Sequence, residues 1–526
     1  VGGAGGVFAA LQAIALAGSV LSGVVLVSGR GNMPILSALW LGYFTIEGVG
    51  GTWYSFGWES QLLETGFLAI FAVPFLSLAR GTPSSGGWAV VWGYRWLIFR
   101  IMLGAGLIKL RGDECWRDLT CMDYHYETQP VPGPLSSWFH HNPKWFHAVE
   151  TGTNHFVEVV VPFFMLLGRP WMIASGLIQI GFQLVLIASG NLSFLNWLTL
   201  LPSIWCFDDR FLVWLWGGGG SAREMVEDAV VAAAAAAPGD GHGGGEQKEN
   251  TDKNKNEGRG GGSGGGLTRM LRAATSVSLF VVIAYLSKPV VINLLALEGQ
   301  QAMNTNFSPF KIVNTYGAFG SITKKRTEII LEGTRGSIAD VMGENGAQAQ
   351  AAVVWTPYEF KCKPGDVNRR PCWITPYHYR LDWLMWFAAF GNYQQHPWLL
   401  HLTTKLLAGD HVASALLAHD PFLSTGSGPP TFIRAEHYVY ALSPPNDQSV
   451  WTRERIGEYF PPVHLGNPSL QQFVAKHGWT WDYETGGPAS EKVEVEDVEE
   501  EEGVVEEEGG VNGDVAGEES KEKKSR

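Results

Sequence analysis

The chain has 526 residues, 46% of them hydrophobic and 22 of them tryptophan, with a formal charge of −13. That apolar content excludes a wholly disordered polypeptide. Residues 491–526 hold 15 acids and 5 bases, and residues 217–266 hold 8 acids and 5 bases, so the rest is neutral; a basic nucleic-acid-binding body is excluded. Charged residues are 17% of the chain, against about 25% in typical soluble proteins.

In chain order, residues 1–29 carry no charge, and residues 7–29 alone are long enough for the ~20-residue helix that crosses a hydrocarbon core. The first residue is Val1 rather than Met, so a preceding stretch of chain is expected. Further apolar runs cover residues 32–46, 65–79, 87–110, 156–167, 171–190, 192–206 and 273–297. Together they predict about five to eight membrane segments. Residues 217–266, rich in glycine, read as a flexible loop after a multi-pass region over 1–216. Residues 267–298 form the last transmembrane helix.

From residue 299 to 485 no run is long enough to span. Residues 311–319, 326–333, 351–362 and 431–442 are β-branched and aromatic and read as strands. Residues 381–390 and 397–407 read as helices. The expected fold is therefore a polytopic α-helical membrane bundle followed by a mixed α/β, strand-rich domain. Residues 486–526 are expected to be a disordered acidic tail.

Arg269 and Arg272 precede the last apolar run, with Lys253, Lys255 and Arg259 further back. Basic flanks favour the cytoplasmic side, which sends the C-terminal domain to the lumen or exterior. Cys362 and Cys372 close the turn-rich KCKPGDVNRRPC segment, which reads as a disulfide loop in an oxidising compartment; two free thiols are the other reading, and zinc would need further ligands. Asn191-Leu-Ser193 is a glycosylation sequon beside an apolar run, and Asn306-Phe-Ser308 is a second, weakened by Pro309.

Glu59 and Glu64 lie in WYSFGWESQLLETG (53–66), and Arg95, Arg100, Lys109 and Arg111 along the fourth run. Ionised groups at membrane depth must be paired or hydrated, so Glu59 or Glu64 is expected to pair with Arg95 or Arg100. The functional alternative is a polar cavity. Residues 109–134, KLRGDECWRDLTCMDYHYETQPVPGP, concentrate Cys115, Cys121, Asp113, Asp118, Asp123, His125 and Glu127. Their spacing matches no familiar metal-ligand set, and neither do His140, His141, His147 and His155. No P-loop, HExxH or CxxC motif occurs, so no catalytic residue, cofactor or metal is assigned.

Several of these stretches resemble the lipase maturation factors, polytopic proteins of the endoplasmic reticulum membrane. The resemblance rests on WYSFGWESQLLETG (53–66), YRWLIFRIMLGAGLIKLRGDECWRDLTCMDYHY (94–126) and NHFVEVVVPFFMLLG (154–168). It extends through SGNLSFLNWLTLLPSIWCFDD (189–209), residues 304–320, YEFKCKPGDVNRRPCWITPYHYRLDWLMWFAAF (358–390) and RERIGEYFPP (453–462). It implies a non-catalytic, chaperone-like factor whose clients are secreted lipases and whose lumenal surfaces include residues 299–485 and the stretch around residues 111–150. Trp355, Trp373, Tyr377 and Trp383 are the candidate client contacts by residue type. The alternative is a membrane-embedded enzyme or lipid/redox handler in which Glu59, Arg100, Lys109 and His125 line a cavity, in outline like the vitamin K-dependent carboxylase architecture.

Overall fold

The computed structural model describes residues 4–79, 82, 84–216, 264–297, 299–424, 426 and 428–477. All but the last three residues of the glycine-rich segment, and the whole acidic tail, lie outside the described residues. The chain divides into two compact units. The first comprises Val1–Tyr126, Leu135–Lys324 and Trp373–His378, and the second Glu127–Pro134, Lys325–Cys372 and Tyr379–Arg526. Each unit therefore takes in a short segment from the sequence neighbourhood of the other.

The first unit is helical. Its main helices are α1 (Ala4–Ser28), α2 (Met33–Val49), α3 (Gly57–Ala72) and α4 (Gly87–Arg111). Then α5 (Lys144–His155) runs through a π turn (Phe156–Val160) into α6 (Val161–Phe164), followed by α7 (Arg169–Ser189), α8 (Leu195–Ile204), α9 (Asp209–Leu215) and α10 (Gly264–Leu294). Among the described residues, four helices are long and apolar enough to cross a membrane: Gly6–Ser28, Gly87–Arg111, Arg169–Ser189 and Gly266–Leu294. Met33–Val49 and Leu195–Ile204 are shorter apolar helices.

The contacts set the helix directions. Met33 N donates to Pro74 O and Trp40 Nε1 to Leu63 O, so α2 and α3 are antiparallel. Gly86 N donates to Phe71 O and Tyr94 OH to Thr65 O, so α3 and α4 are antiparallel as well. The start of α4 lies beside Ser276, its middle beside Ser287 and its end beside Leu294, so α4 and α10 run parallel. Leu97, Ile98, Ile101 and Met102 of α4 are buried with Leu68, Val157, Met165 and Leu279, which makes α4 the centre of the apolar core.

The second unit carries an antiparallel sheet in the order β2-β1-β3-β4, with β1 Arg326–Thr334, β2 Thr356–Pro357, β3 Phe432–Leu442 and β4 Trp451–Val463. The register of β1 on β3 runs from Arg326↔Tyr440 to Thr334↔Phe432. Helices α11 (Arg380–Ala388), α12 (Pro397–Leu407) and α13 (Pro468–Lys476) complete the unit. Three register irregularities interrupt the β3–β4 pairing. Strand β4 also carries Arg453, Glu454, Arg455 and Glu458 and ends in Pro461-Pro462, the devices that keep an edge strand from recruiting another chain. Residues 311–319, expected as a strand, are instead an irregular extended segment. Of 351–362, Thr356–Pro357 pairs with β1 and Glu359 makes an isolated bridge to His419.

Gly112 measures how closely that extended segment approaches α4. A Cβ at this position would stand 2.0 Å from Gly320 O and 2.9 Å from Ile108 O. The close atoms are backbone and cannot swing aside. Gly112→Ala is expected to lower stability by about 2–4 kcal/mol, read as the thermal midpoint of the detergent-solubilised protein. An unchanged midpoint would contradict the close approach.

Candidate functional site

A helix buries its backbone polar groups in its own hydrogen bonds, so an ionised side chain inside a bundle must find partners elsewhere. Glu64 on α3 and Arg100 on α4, each 2% exposed, form such a pair through Glu64 Oε1 and Arg100 Nη2. The second carboxylate oxygen accepts from Asn314 N at 3.0 Å, Asn314 Nδ2 at 3.1 Å and Tyr316 OH at 2.7 Å. Arg100 Nη1 donates to Asn314 O. Residues 314–316 follow the last long helix in sequence, yet they reach a level 11 residues below the end of α4, about 16 Å at the helical rise.

From there the chain climbs along α4 as a strap. Tyr316 O lies over Gly104, Gly317 and Gly320 pack on Ile108, and Gly320 O accepts from Asp113 N at 3.0 Å. Extended backbone rises ~3.3 Å per residue, so six residues of strap match twelve of helix. Asn304, Lys311 and Phe319 hold left-handed φ angles of 51°, 51° and 57°, a conformation that surrounding contacts must enforce on a non-glycine residue. Lys311 Nζ is one such anchor, paired with Glu47.

The other intramembrane candidates have separate partners. Tyr43 OH donates to Glu59. Arg95 Nε donates to Trp205 O at 2.9 Å and lies over the Trp92 ring. Arg111 Nη1 donates to Leu294 O at 2.9 Å and to Gln301. Lys109 Nζ reaches Glu158 Oε1 at 2.6 Å and Asn154 Oδ1 at 3.2 Å, beneath the Trp116 ring. Glu158 sits in the π turn between α5 and α6. The lone carboxylate in FVEVVV is the signal that could have found it.

Beyond the end of α4, Cys115 and Cys121 form a disulfide with Cα atoms 4.8 Å apart. His147 Nδ1 lies 2.7 Å from Asp123 Oδ1, and Tyr126 OH donates to Glu150 at 2.8 Å. Asp113 Oδ2 accepts from Ile322 N. His125 packs edge-on against Phe319, and burial, helped by the Lys109 cation, pushes its ring down to about 4. Burial likewise takes His140 to about 4. Among the described residues no three His, Cys, Asp or Glu side chains are grouped to hold a metal.

The second unit has its own buried charge network. Arg326, Glu328, Lys363 and Asp382 are each no more than 1% exposed. Arg326 pairs with Glu328, and Lys363 Nζ lies 2.7 Å from the same carboxylate. Arg326 also donates to the carbonyls of Glu127, Gln129 and Pro130, and Trp386 Nε1 donates to Thr128 O. One guanidinium thus fixes the 127–134 segment, whose amide-poor QPVPGP sequence offers carbonyls in excess of N–H donors. Asp382 accepts from Cys362 N and Lys363 N at 2.6 and 2.8 Å, fixing one side of the Cys362–Cys372 disulfide loop. Burial raises the Asp382 carboxyl above the usual range.

After Cys372 the chain enters the helical unit for six residues. Asn191 Oδ1 accepts from Ile374 N and Thr375 N, Trp197 Nε1 donates to Thr375 Oγ1, and His378 packs edge-on against Phe56 and Trp58. Asn191 and Ser193 are each 1% exposed, which disfavours glycosylation of the sequon once the chain has folded. Among the aromatic candidates, Trp383 is buried, Trp355 is covered by Arg434, and Trp373 and Tyr377 are 53% and 63% exposed.

Two family patterns match the chain: the lipase maturation factor transmembrane domain over residues 5–214, and the lipase maturation factor C-terminal domain over residues 312–461. Lipase maturation factor 1 of Mus musculus is 52% identical over 479 residues, covering 89% of this chain and 76% of that protein. The Homo sapiens protein of the same name is 51% identical over 478 residues, covering 89% and 77%. Lipase maturation factor 2 of Rattus norvegicus is 28% identical over 543 residues, covering 89% and 75%. No solved structure matches.

Removing one member of a buried ion pair strands the other. Glu64→Gln and Arg100→Gln should each destabilise by about 3–5 kcal/mol, and the double variant by less than the sum of the two. Additive losses in that thermal-unfolding cycle would contradict the pairing. His125 gives a pH test. The unfolded chain takes up its proton near 6.5 and the folded chain only near 4. The folded state therefore binds fewer protons in that window, and stability falls as pH drops from about 6.5 toward 4. His125→Gln should flatten the fall in midpoint between pH 7 and pH 5; an unaltered slope would rule out a buried neutral ring.

Proposed function

This chain belongs to the lipase maturation factor family, and from that premise we propose that it assists the folding, assembly and maturation of secreted lipases in the endoplasmic reticulum membrane. The observation that carries the proposal is the half-identical match to lipase maturation factor 1 through both domains. The role is non-catalytic. Glu59, Arg100 and Lys109 each have a protein partner, and such pairs suit a scaffold whose charges are held rather than exchanged.

Orientation follows from covalent chemistry and connectivity. The Cys115–Cys121 disulfide lies just beyond the end of α4, and α10, parallel to α4, delivers the chain to that same side before the C-terminal unit begins. Disulfides persist in the oxidising lumen. The opposite side carries Arg269 and Arg272 near the start of α10, as cytoplasmic ends do. The second unit and its Cys362–Cys372 disulfide are accordingly lumenal. Trp373 and Tyr377, in the six-residue segment that belongs to the helical unit, present the exposed aromatic surface that a partly folded client meets, and membrane lipid surrounds the helices.

In cells deleted for this gene, secreted lipase activity should fall several-fold while lipase protein stays near its normal abundance, and re-expression should restore it. Trp373→Ala with Tyr377→Ala should accumulate normally and restore less. Unaltered specific activity of every secreted lipase after deletion would refute the proposal.

A further inference from the structure

In the second unit the sheet opens between β1 and β2. These strands are antiparallel, and Tyr358 N donates to Leu331 O at 2.9 Å, so Leu331 and Tyr358 form a hydrogen-bonded pair. In an antiparallel ladder such pairs recur at every second residue. Gly333 and Thr356 are the next pair, and continued register would bring Arg335 to Val354. There the pairing stops. Among the described residues the main-chain N–H and C=O groups of Arg335 and Val354 have no hydrogen-bond partner. Between these two residues the chain leaves the sheet through the short helices Ile338–Val341 and Ala347–Ala351. A cleft of about 590 Å³ lies where the segments separate, lined by Thr334, Arg335, Val354 and Thr356 together with Asp340 and Phe422. That volume is in the range of built binding sites. Val341 and Val353 pack over Gly336, where a Cβ would stand 3.0 and 3.3 Å from their methyl groups.

The chemistry of the cleft selects its occupant. Open main-chain donors and acceptors on extended segments are satisfied by an added strand, and an acyl chain satisfies none of them. The rim is apolar: Ile338, Met342 and Val354 are exposed, Val354 by 77%. Charge narrows the choice further. Arg335 lies over the Phe422 ring, and its Nη2 donates to Phe422 O and Gly428 O. Among the described residues no carboxylate forms an ion pair with it. Asp340, the acid in the lining, is already held by Ser337 Oγ and Asn345 Nδ2 at 2.6 Å each. The charge left without a counterpart is therefore a cation, complementary to an acidic side chain. The β4 edge differs, because charge and proline guard it.

We propose that this cleft binds an extended peptide segment as an added strand, paired to the open main-chain groups of Arg335 and Val354. The segment carries aliphatic side chains for the Ile338, Met342 and Val354 rim and an acidic side chain for the Arg335 guanidinium. The proposal rests on the maturation role, in which the segment belongs to a partly folded client, and it gives that role a recognition chemistry. Strand addition also supplies a release step. A client that completes its own sheet withdraws the main-chain groups that held it to the cleft.

The test uses the full detergent-solubilised chain and a short fluorescein-labelled peptide that alternates Val and Thr around a central Glu, followed by fluorescence anisotropy. Binding should saturate above the background of empty micelles. N-methylation of alternate peptide amides should weaken it about tenfold in at least one of the two alternations, and Lys in place of the central Glu should weaken it several-fold. Val354→Pro removes an N–H at an exposed position and should weaken the parent peptide several-fold. Arg335→Gln should abolish the preference for Glu over Lys. Binding no greater than to empty micelles would overturn the proposal, as would full tolerance of N-methylation in both alternations. Displacement by dodecanoate together with that tolerance would assign the cleft to an acyl chain instead. The peptide changes leave the protein untouched, so the result stands even where a variant fails to fold. Failure of the cleft is also distinct from failure of the maturation role. A fall in secreted lipase activity on gene deletion without peptide binding would retain the role and overturn the cleft, and peptide binding with unaltered lipase activity would do the reverse.

Discussion

Placing ionised side chains inside an apolar bundle constrains the rest of this fold. Glu64 and Arg100 neutralise one another, but a carboxylate offers about four acceptor sites and a guanidinium five donors. Straight helices cannot supply the remainder, because their amides and carbonyls are already engaged. The chain meets the demand with irregular backbone. Residues 314–316 bring an amide N–H, a side-chain amide, a phenol and a carbonyl to one point. Non-helical backbone at that depth is tolerated only when protein surrounds it, and Asn314 and Tyr316 are buried. Gly104 and Gly112 follow from the same constraint, since a side chain at either would exclude the strap.

The second unit solves the same problem with other residues. Arg326 is fully buried in a strand, and carbonyls from a proline-rich segment nearly two hundred residues earlier absorb its donors. In both units a buried cation organises backbone from a distant part of the sequence. Breaking such a network strands a charge, whereas replacing it wholesale with apolar groups can be neutral. The networks therefore specify which segment goes where more than they add net stability. The sheet edge at β4 is guarded by charge, irregular register and proline, which lowers the hazard of pairing with another chain.

Much of this was legible in the sequence. The long apolar runs predicted the helices α1, α4, α7 and α10, because hydrocarbon length is a property of composition. Strands β1 and β3 and helices α11 and α12 followed from local pattern. The requirement that Glu64 or Glu59 find a cation followed from desolvation, but its partner and its polar shell did not, since Asn314 and Tyr316 lie some 250 residues away. Strand β4 was hidden by its alternating charges, which guard an edge and so mask the apolar period. The 311–319 segment has strand-like composition and is extended, yet it pairs with a helix groove instead of a neighbour strand. Asn191 shows the limit of motif reading. Its sequon is real in sequence, but its side chain caps the Ile374 and Thr375 amides.

The proposed non-catalytic role requires that the charged residues of the bundle build a scaffold and perform no chemistry. The most direct test is the specific activity of a secreted lipase in cells where the only copy of this protein carries Lys109→Gln with Glu158→Gln. These exchanges remove both charges together and keep hydrogen-bonding groups in place. Provided the variant accumulates to the wild-type level, lipase specific activity should match that of wild-type cells. A variant that folds and accumulates but leaves the lipase inactive would contradict the account and point to chemistry at that pair.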